Sequence, residues 1–142
     1  MSESAASVID TASKPLAALV PMAHVADVLR AIEWYAKLGF VVEGTLTPEG
    51  RPMRWAHLRY GGAALMLART ARPMYPDAQD VLFYLYAHGV AAYRDRLITS
   101  GLKPGELSFP SYARHGEFSI NDLDGYCLLV GDAEQRKRNG SG

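Results

Sequence analysis

The chain lacks a net charge that would direct it to a charged partner, since it carries 15 lysines and arginines against 15 aspartates and glutamates. This balance removes the main reason to expect binding to a nucleic acid or to an anionic membrane. Cysteine is almost missing as well, because Cys127 is the one example. A disulfide framework within the chain is therefore excluded, and we expect a buried thiol in the reducing cytoplasm.

Long apolar runs and targeting signals are missing too. No stretch approaches the ~20 apolar residues that cross a bilayer, and residues 1–15 lack the basic and apolar regions of a secretory signal. What the chain does have is a hydrophobic content of 49% in 142 residues, which is enough for the core of one domain. We predict a single domain over residues 16–132, a flexible arm over 1–15 and a flexible tail over 133–142.

The order of the predicted elements divides the domain into two similar halves. The glycine that ends a helix, Gly39, recurs as Gly101 after 62 residues, and the hairpin glycine Gly62 recurs as Gly125 after 63 residues. The same shifts place residues 20–25 on 82–87 and residues 65–67 on 128–130. We therefore predict two βαβββ modules, 16–70 and 79–132. Together they would make an α+β fold in which one curved mixed sheet has its helices outside and a hollow inside.

Two motifs connect this pattern to a known family. The letters PMAHVADV at 21–28, AIEWY at 31–35 and LGF at 38–40 resemble the opening of the vicinal oxygen chelate superfamily, which includes glyoxalases, bleomycin resistance proteins and dioxygenases. The letters EF at 117–118 and DLDGY at 122–126 resemble its closing motif. Leu123 stands where the family usually has proline, and Tyr126 where it often has asparagine. The resemblance covers about residues 16–132 and extends to fold more than to activity.

The resemblance also implies where a metal would bind. Metal-dependent members place a His, Gln or Glu on each of four strands, and the matching positions here are Val20, Met66, Leu82 and Leu129. Three of these side chains have no donor atom, and the thioether of Met66 is too soft for Mn, Fe, Ni or Zn. We therefore expect no metal and no other cofactor, and we argue against glyoxalase I and extradiol dioxygenase chemistry.

Alternation along the strands, counted from those four positions, predicts which other side chains face the hollow. They are mostly apolar and aromatic with a few polar groups, the composition of an organic-ligand site. The predicted ligand-binding residues are Met22, His24, Trp55, His57, Met66, Tyr84, Tyr86, Glu117 and Ser119. The resemblance to the bleomycin resistance branch implies a homodimer that sequesters a small aromatic or hydrophobic molecule, such as an antibiotic, in a dimer cleft.

Two other interpretations stay open at the level of sequence. One is a metal-independent lyase or isomerase that uses His24, His57 or Glu117, in which His57 and Glu117 form an acid–base pair. The other is an interaction domain without a ligand, which follows if side chains fill the centre. No Ser-His-Asp, Cys-His, phosphate-loop or dinucleotide signature is present. We therefore assign no catalytic residue.

Overall fold

The computed structural model describes residues 13–136, so most of the predicted arm and part of the predicted tail lie outside the described residues. The strands and helices that lie wholly within this part of the chain follow one another in an order that repeats. They are β1 (Met22–Val25), α1 (Val28–Leu38), β2 (Val41–Leu46), β3 (Trp55–Tyr60), β4 (Ala63–Arg69), β5 (Leu82–Ala87), α2 (Val90–Thr99), β6 (Glu117–Asn121) and β7 (Cys127–Asp132), with a 3₁₀ turn at Pro76–Ala78. No described helix has the length and apolar character needed to cross a membrane.

The strands confirm the predicted α+β class and the relation between the two halves. Sheet order is β1-β4-β3-β2 in the first half and β5-β7-β6 in the second. In each half the first strand is parallel to the last one, while the remaining pairs are antiparallel. Met22 pairs with Met66 and Tyr84 pairs with Leu129, which are the equivalent positions in the sequence repeat. The described strands form two separate sheets and not the one continuous curved sheet that was predicted.

Proline accounts for two departures from the predicted strands. Residues 20–25 match residues 82–87 in the repeat, but the first strand begins at Met22, directly after Pro21, which has no N–H to donate to a sheet. The strand expected directly after the helix of the second module is reduced to an isolated bridge between Ser108 and Glu117. Pro104 and Pro110 flank this segment. The second sheet consequently has three strands, and its module is βαββ.

Helix α1 begins and ends at the residues that the sequence indicates. The side chain of Asp27 accepts a hydrogen bond from the backbone N–H of Arg30 at 3.1 Å, so Asp27 is the N-cap, a position at which aspartate is strongly preferred. Gly39 ends the helix with φ of 120°, and a Cβ there would lie 2.6 Å from the ring of Tyr60. Glycine is thus required at this position both by the backbone conformation and by the close approach of an aromatic ring.

One hydrophobic core joins the two halves, and alternation along the strands decides which side chains enter it. Residues such as Val25, Leu58, Leu67, Leu128 and Val130 are buried together with the apolar stripes of both helices. The intervening residues lie on the opposite, more exposed side of each sheet. We call residues Met22, His24, Trp55, His57 and Met66 the first open face, and residues Leu82, Tyr84, Tyr86, Glu117, Ser119 and Leu129 the second open face.

Four hydrogen bonds cross from one module to the other. Three of them involve the turn between β6 and β7. The hydroxyl of Tyr35 on α1 donates to Asp122 at 2.6 Å, and the N–H of Ala26 donates to Asp124 at 2.9 Å. Tyr126 then donates its hydroxyl to the carbonyl of His24 at 2.9 Å. At the other end, Tyr93 donates to the carbonyl of Leu38 at 2.7 Å. The turn between β6 and β7 is therefore attached to the first module.

Asp132 should be the cap of helix α2, because Gly89 at the start of that helix has no side chain to offer. The Asp132 carboxylate accepts the N–H of Val90 at 3.0 Å. We expect Asp132→Ala to lower the free energy of unfolding by about 1 kcal/mol, the usual loss for a helix cap. Urea denaturation at neutral pH measures the loss, and Asp132→Asn, which keeps an acceptor oxygen, is the matched control.

The capping contribution should also depend on pH. Burial alone would raise the pKa of Asp132, but hydrogen bonds from the N–H groups of Glu134 and Val90 outweigh it and hold the pKa below its usual value. A carboxyl whose pKa falls on folding stabilises the protein above its unfolded pKa, which is near ~3.9, and loses that contribution as the pH drops through the folded value. A stability difference between wild type and Asp132→Ala that stays constant down to pH ~2 would contradict this assignment.

Candidate functional site

The first open face is built from neighbouring residues on three strands. Met66 pairs with Met22 on one side and with His57 on the other, so these three side chains lie in a row across the sheet. Trp55 precedes His57 by two residues on β3, and the two ring centroids are 6.2 Å apart. The ring of Trp55 lies 3.5 Å from where a Cβ of Gly44 would be, an ordinary van der Waals distance, so the indole packs over Gly44 on β2. The result is an apolar and aromatic surface in which the ring of His57 is the central polar group.

That polar ring lacks a partner. Among residues 13–136, Nε2 of His57 is the buried side-chain nitrogen or oxygen without a hydrogen bond. A buried polar atom that makes no hydrogen bond costs about 1–3 kcal/mol. The next outward residue on β3, Arg59, pairs instead with Glu43 at 2.6 Å. The first open face therefore contains one buried, unused hydrogen-bonding atom beside a half-buried indole and two thioethers.

The second open face places aromatic rings next to a carboxylate. Tyr84 and Tyr86 follow each other on this side of β5, with ring centroids 5.0 Å apart. Leu129 pairs with Tyr84 on one strand and with Ser119 on the other, so β7 connects the tyrosines to β6. Glu117, at the start of β6, completes the surface. A planar molecule placed here would meet rings, a leucine and two polar groups.

Glu117 is held by two tyrosine hydroxyls. Tyr84 donates to one carboxylate oxygen at 2.7 Å, and Tyr112 donates to the other at 2.8 Å. Burial and the hydrogen bond to Glu117 raise the pKa of Tyr84 above its ordinary value, and the hydrogen bond to Glu117 raises the pKa of Tyr112 in the same direction. Both phenols therefore stay protonated at neutral pH, and each donates a hydrogen bond to the carboxylate. We call Tyr84, Tyr112 and Glu117 the tyrosine clip.

Two clefts of useful size accompany the open faces. The larger, of about 360 Å³, lies where the modules meet, and it is lined by Leu19, Pro21, residues 63–65 and residues 82–85 among others. Of the predicted ligand-binding residues, Tyr84 contributes to it. The second, of about 250 Å³, is lined by His24, Tyr126 and residues of the connection between the modules. The described residues thus distribute the predicted set over two sheets and a side cleft, and not around one enclosed hollow.

The strand phase on which the predicted set depends is confirmed. Leu65 and Leu67 are in the core while Met66 is not, and Leu128 and Val130 are in the core while Leu129 is not. Leu82 is 58% exposed. Val20 lies outside β1, in the extended segment before it. The four positions that the family resemblance matches to metal ligands therefore do not lie under the helices.

Sequence reasoning missed three contributors to the second open face. Tyr112 lies in a loop without periodicity, so no pattern connects it to Glu117. Gly131 is needed because a Cβ there would lie 2.6 Å from the Tyr84 hydroxyl. Arg136 places its guanidinium 5.6 Å from the centroid of the Tyr86 ring. Of these three residues, only Gly131 could have been noticed in the sequence, because a glycine within a strand often marks a place where another group approaches the backbone closely.

The chemistry available at these surfaces is stacking, apolar contact and hydrogen bonding. Among residues 13–136, no three His, Cys, Asp or Glu side chains are grouped so that they could hold a metal ion. Both oxygens of Glu117 already accept hydrogen bonds from phenol hydroxyls, which leaves this carboxylate poorly placed as a general base. His57 and Glu117 lie on different sheets of the chain.

Comparison with known proteins finds solved structures that share this fold. No family model matches the chain, and no curated protein sequence matches it. Solved structures do. A bleomycin-binding protein complexed with bleomycin has a TM-score of 0.65 at 16% identity, covering 82% of this chain and 98% of its own. A glyoxalase-related enzyme from Clostridium phytofermentans has a TM-score of 0.68 at 13% identity, covering 82% and 95%.

A third match is TnmS3, an antibiotic binding protein from Streptomyces sp., with a TM-score of 0.60 at 17% identity over 82% of this chain and 98% of the other. At such identities the likeness establishes the fold. The predicted α+β fold is confirmed, and it is the fold of a bleomycin-binding protein and of a glyoxalase-related enzyme.

Proposed function

We propose that the protein binds a small aromatic or hydrophobic compound, such as an antibiotic, and sequesters it without chemical change. The observation that carries this proposal is the unpartnered Nε2 of His57 within the first open face. A bound molecule with one polar group and a flat apolar body would cover Trp55 and Met66. Its polar group would satisfy this nitrogen once the side chains that cover the nitrogen in the free protein move apart. Ligand sites commonly combine a mainly apolar lining with a small number of such polar atoms.

The proposal includes a cleft between two copies of the chain, in the cytoplasm. Each open face carries large apolar side chains that one chain leaves in water, for example Met22 at 55% exposure and Leu82 at 58%. Contiguous exposed apolar surface of this kind is typical of interaction sites. In a symmetric pair, the first open face of one copy would approach the second open face of its partner, and the ligand would lie between them.

The proposed binding has a specific optical signal. Trp55 lies on the first open face, whereas Trp34 is buried in helix α1, so a Trp34→Phe variant would report from Trp55 among the described residues. We expect aromatic antibiotics from a panel that includes bleomycin to give saturable quenching. A compound at 100 times its dissociation constant should also add about 2.7 kcal/mol to the free energy of unfolding.

The role of His57 is tested with the compound that gives the strongest quenching. His57→Phe keeps a ring of similar size but removes the nitrogen, so we expect its affinity to fall about tenfold, the equivalent of one hydrogen bond near 1.4 kcal/mol. The exposed His88, changed to Phe, is the matched control. Equal affinities of the two variants would contradict the proposed role of His57. If the protein converted the bound compound into a product, the proposed sequestration would be wrong and the protein would be an enzyme.

The two-copy arrangement is measured on the same samples. Light scattering should give the mass of two chains, with and without the compound. A mass of one chain in the presence of saturating ligand would contradict the shared cleft while leaving ligand binding intact.

A further inference from the structure

Glu117 carries a charge that the surrounding protein does not neutralise. The residue is 6% exposed, and both oxygens of its carboxylate accept hydrogen bonds from neutral phenols. No lysine, arginine or histidine among residues 13–136 forms an ion pair with it. Two neutral donors satisfy part of its hydrogen-bonding capacity but leave its full negative charge. A largely buried carboxylate without a cation is unusual, because burying a charge is costly unless it is paired.

The rings around Glu117 favour a positive charge as well. Aromatic faces are electron-rich and attract cations within about 6 Å of the ring centroid. Arg136 already uses this attraction, since its guanidinium lies 5.6 Å from the centroid of the Tyr86 ring. Tyr84 stands beside Tyr86 and is hydrogen-bonded to Glu117, so the same aromatic surface continues to the carboxylate.

The backbone beneath the clip is shaped for this contact. Glu117 pairs with Gly131 across the sheet, and so does Tyr86 on the other side. Because Gly131 has no side chain, the Tyr84 hydroxyl crosses directly above it to reach Glu117. Tyr112, in contrast, is 59% exposed and reaches Glu117 from a loop. One wall of the clip is therefore fixed by the sheet, while the other faces solvent.

We propose that the ligand of the second open face carries a protonated amine, which binds against the Glu117 carboxylate and the rings of Tyr84 and Tyr86. This inference rests on the proposed ligand-binding function and specifies the chemical class of the ligand. An ammonium group has three donors and is compact enough for the lone pairs that the two phenols leave free. It would also supply the positive charge that Glu117 lacks.

Two naphthyl probes of the same shape separate charge from apolar contact. 2-Naphthylmethylamine is protonated at pH 7, and 2-naphthylmethanol is its neutral counterpart. Calorimetric titration of the full chain should show the amine binding about tenfold tighter or more, as expected for a hydrogen bond to a charged group. In Glu117→Gln, which keeps the size of the side chain, the two probes should bind with equal affinity, close to that of the alcohol for wild type.

The controls isolate the position of the charge. Glu106→Gln removes one negative charge from the exposed loop before β6 and should leave the preference for the amine unchanged. Tyr112→Phe removes one phenol donor, frees an oxygen of Glu117 and should keep or increase that preference. Thermal unfolding shows whether Glu117→Gln is folded. The comparison of the two probes on wild type does not depend on this variant.

Each outcome decides between the two proposals. Equal affinity of wild type for amine and alcohol would overturn the amine inference and leave the binding function standing. No binding of either probe to wild type would argue against a ligand site at this face altogether. A preference for the amine that survives in Glu117→Gln would place the recognised charge elsewhere and overturn the role of the tyrosine clip.

Discussion

Replacing Asp122 with alanine should lower the free energy of unfolding by about 3–5 kcal/mol, since three donors would lose their acceptor at a cost of about 1–3 kcal/mol each. Oδ2 accepts the hydroxyl of Tyr35, and Oδ1 accepts the N–H groups of Asp124 and Tyr126, each within 3 Å. Asp122 and the Tyr35 ring are both buried, so water cannot readily replace the missing oxygens. Urea denaturation at neutral pH measures the effect.

Three variants separate the parts of this contact. Tyr35→Phe removes only the hydrogen bond from the Tyr35 hydroxyl to Asp122 and should lower the free energy of unfolding by about 1–2 kcal/mol. Burial raises the pKa of Asp122 in spite of the hydrogen bond from Tyr35, which means that keeping the carboxyl ionised opposes folding. Asp122→Asn keeps an acceptor without the charge and should therefore lose less than the alanine variant. Asp77→Ala, at an exposed aspartate, should stay within about 0.5 kcal/mol of wild type. A comparable loss in Asp77→Ala would contradict a specific role for Asp122.

Replacing Gly125 with alanine should cost about 2–4 kcal/mol, because two separate penalties add at this turn. Its φ of +87° is disfavoured for a residue with a side chain. A Cβ would also overlap backbone atoms of Pro76, at the start of the 3₁₀ turn. Unlike a flexible side chain, that backbone cannot move away without shifting the connection between the modules.

Gly61 provides the matched control for Gly125. It has a φ of +58° in the β3–β4 turn, and nothing lies within 4 Å of where its Cβ would be. Gly61→Ala should therefore show the conformational penalty alone, about 1 kcal/mol. The difference between the two alanine variants in chemical denaturation measures the collision with Pro76. Equal losses would show that this close approach does not contribute to stability.

The sequence predicted best what depends on local periodicity. Alternation identified the core side of β1, β3, β4 and β7 correctly, because one slip would place every apolar residue of a strand on the wrong side. The repeat of glycines anticipated the matching pairs Met22–Met66 and Tyr84–Leu129. Gly39 marked the end of α1, because a helix-ending glycine acts through its own backbone and that of adjacent residues.

What the sequence did not predict depends on contacts between distant segments. Alternation tells which side of a strand faces the core, but it does not tell whether two sheets join at their edges. The expected curved sheet is for this reason two sheets within the described chain. Nothing in the letters around Tyr112 indicates a bond to Glu117, since a side chain in an irregular loop has no period. The sequence likewise gives no indication that His24 and Tyr126 line the same side cleft.

The division of each strand between core and open face bears on how such a protein can change its specificity during evolution. Substitutions at Trp55, His57 or Tyr86 would alter the proposed ligand surface without changing the buried residues that hold the two halves together. Selection for a new compound could then proceed with little loss of folding stability, unlike in an enzyme whose active site is part of its core. A fold organised in this way would tolerate wide sequence divergence, in keeping with the low identities between this chain and the proteins that share its fold.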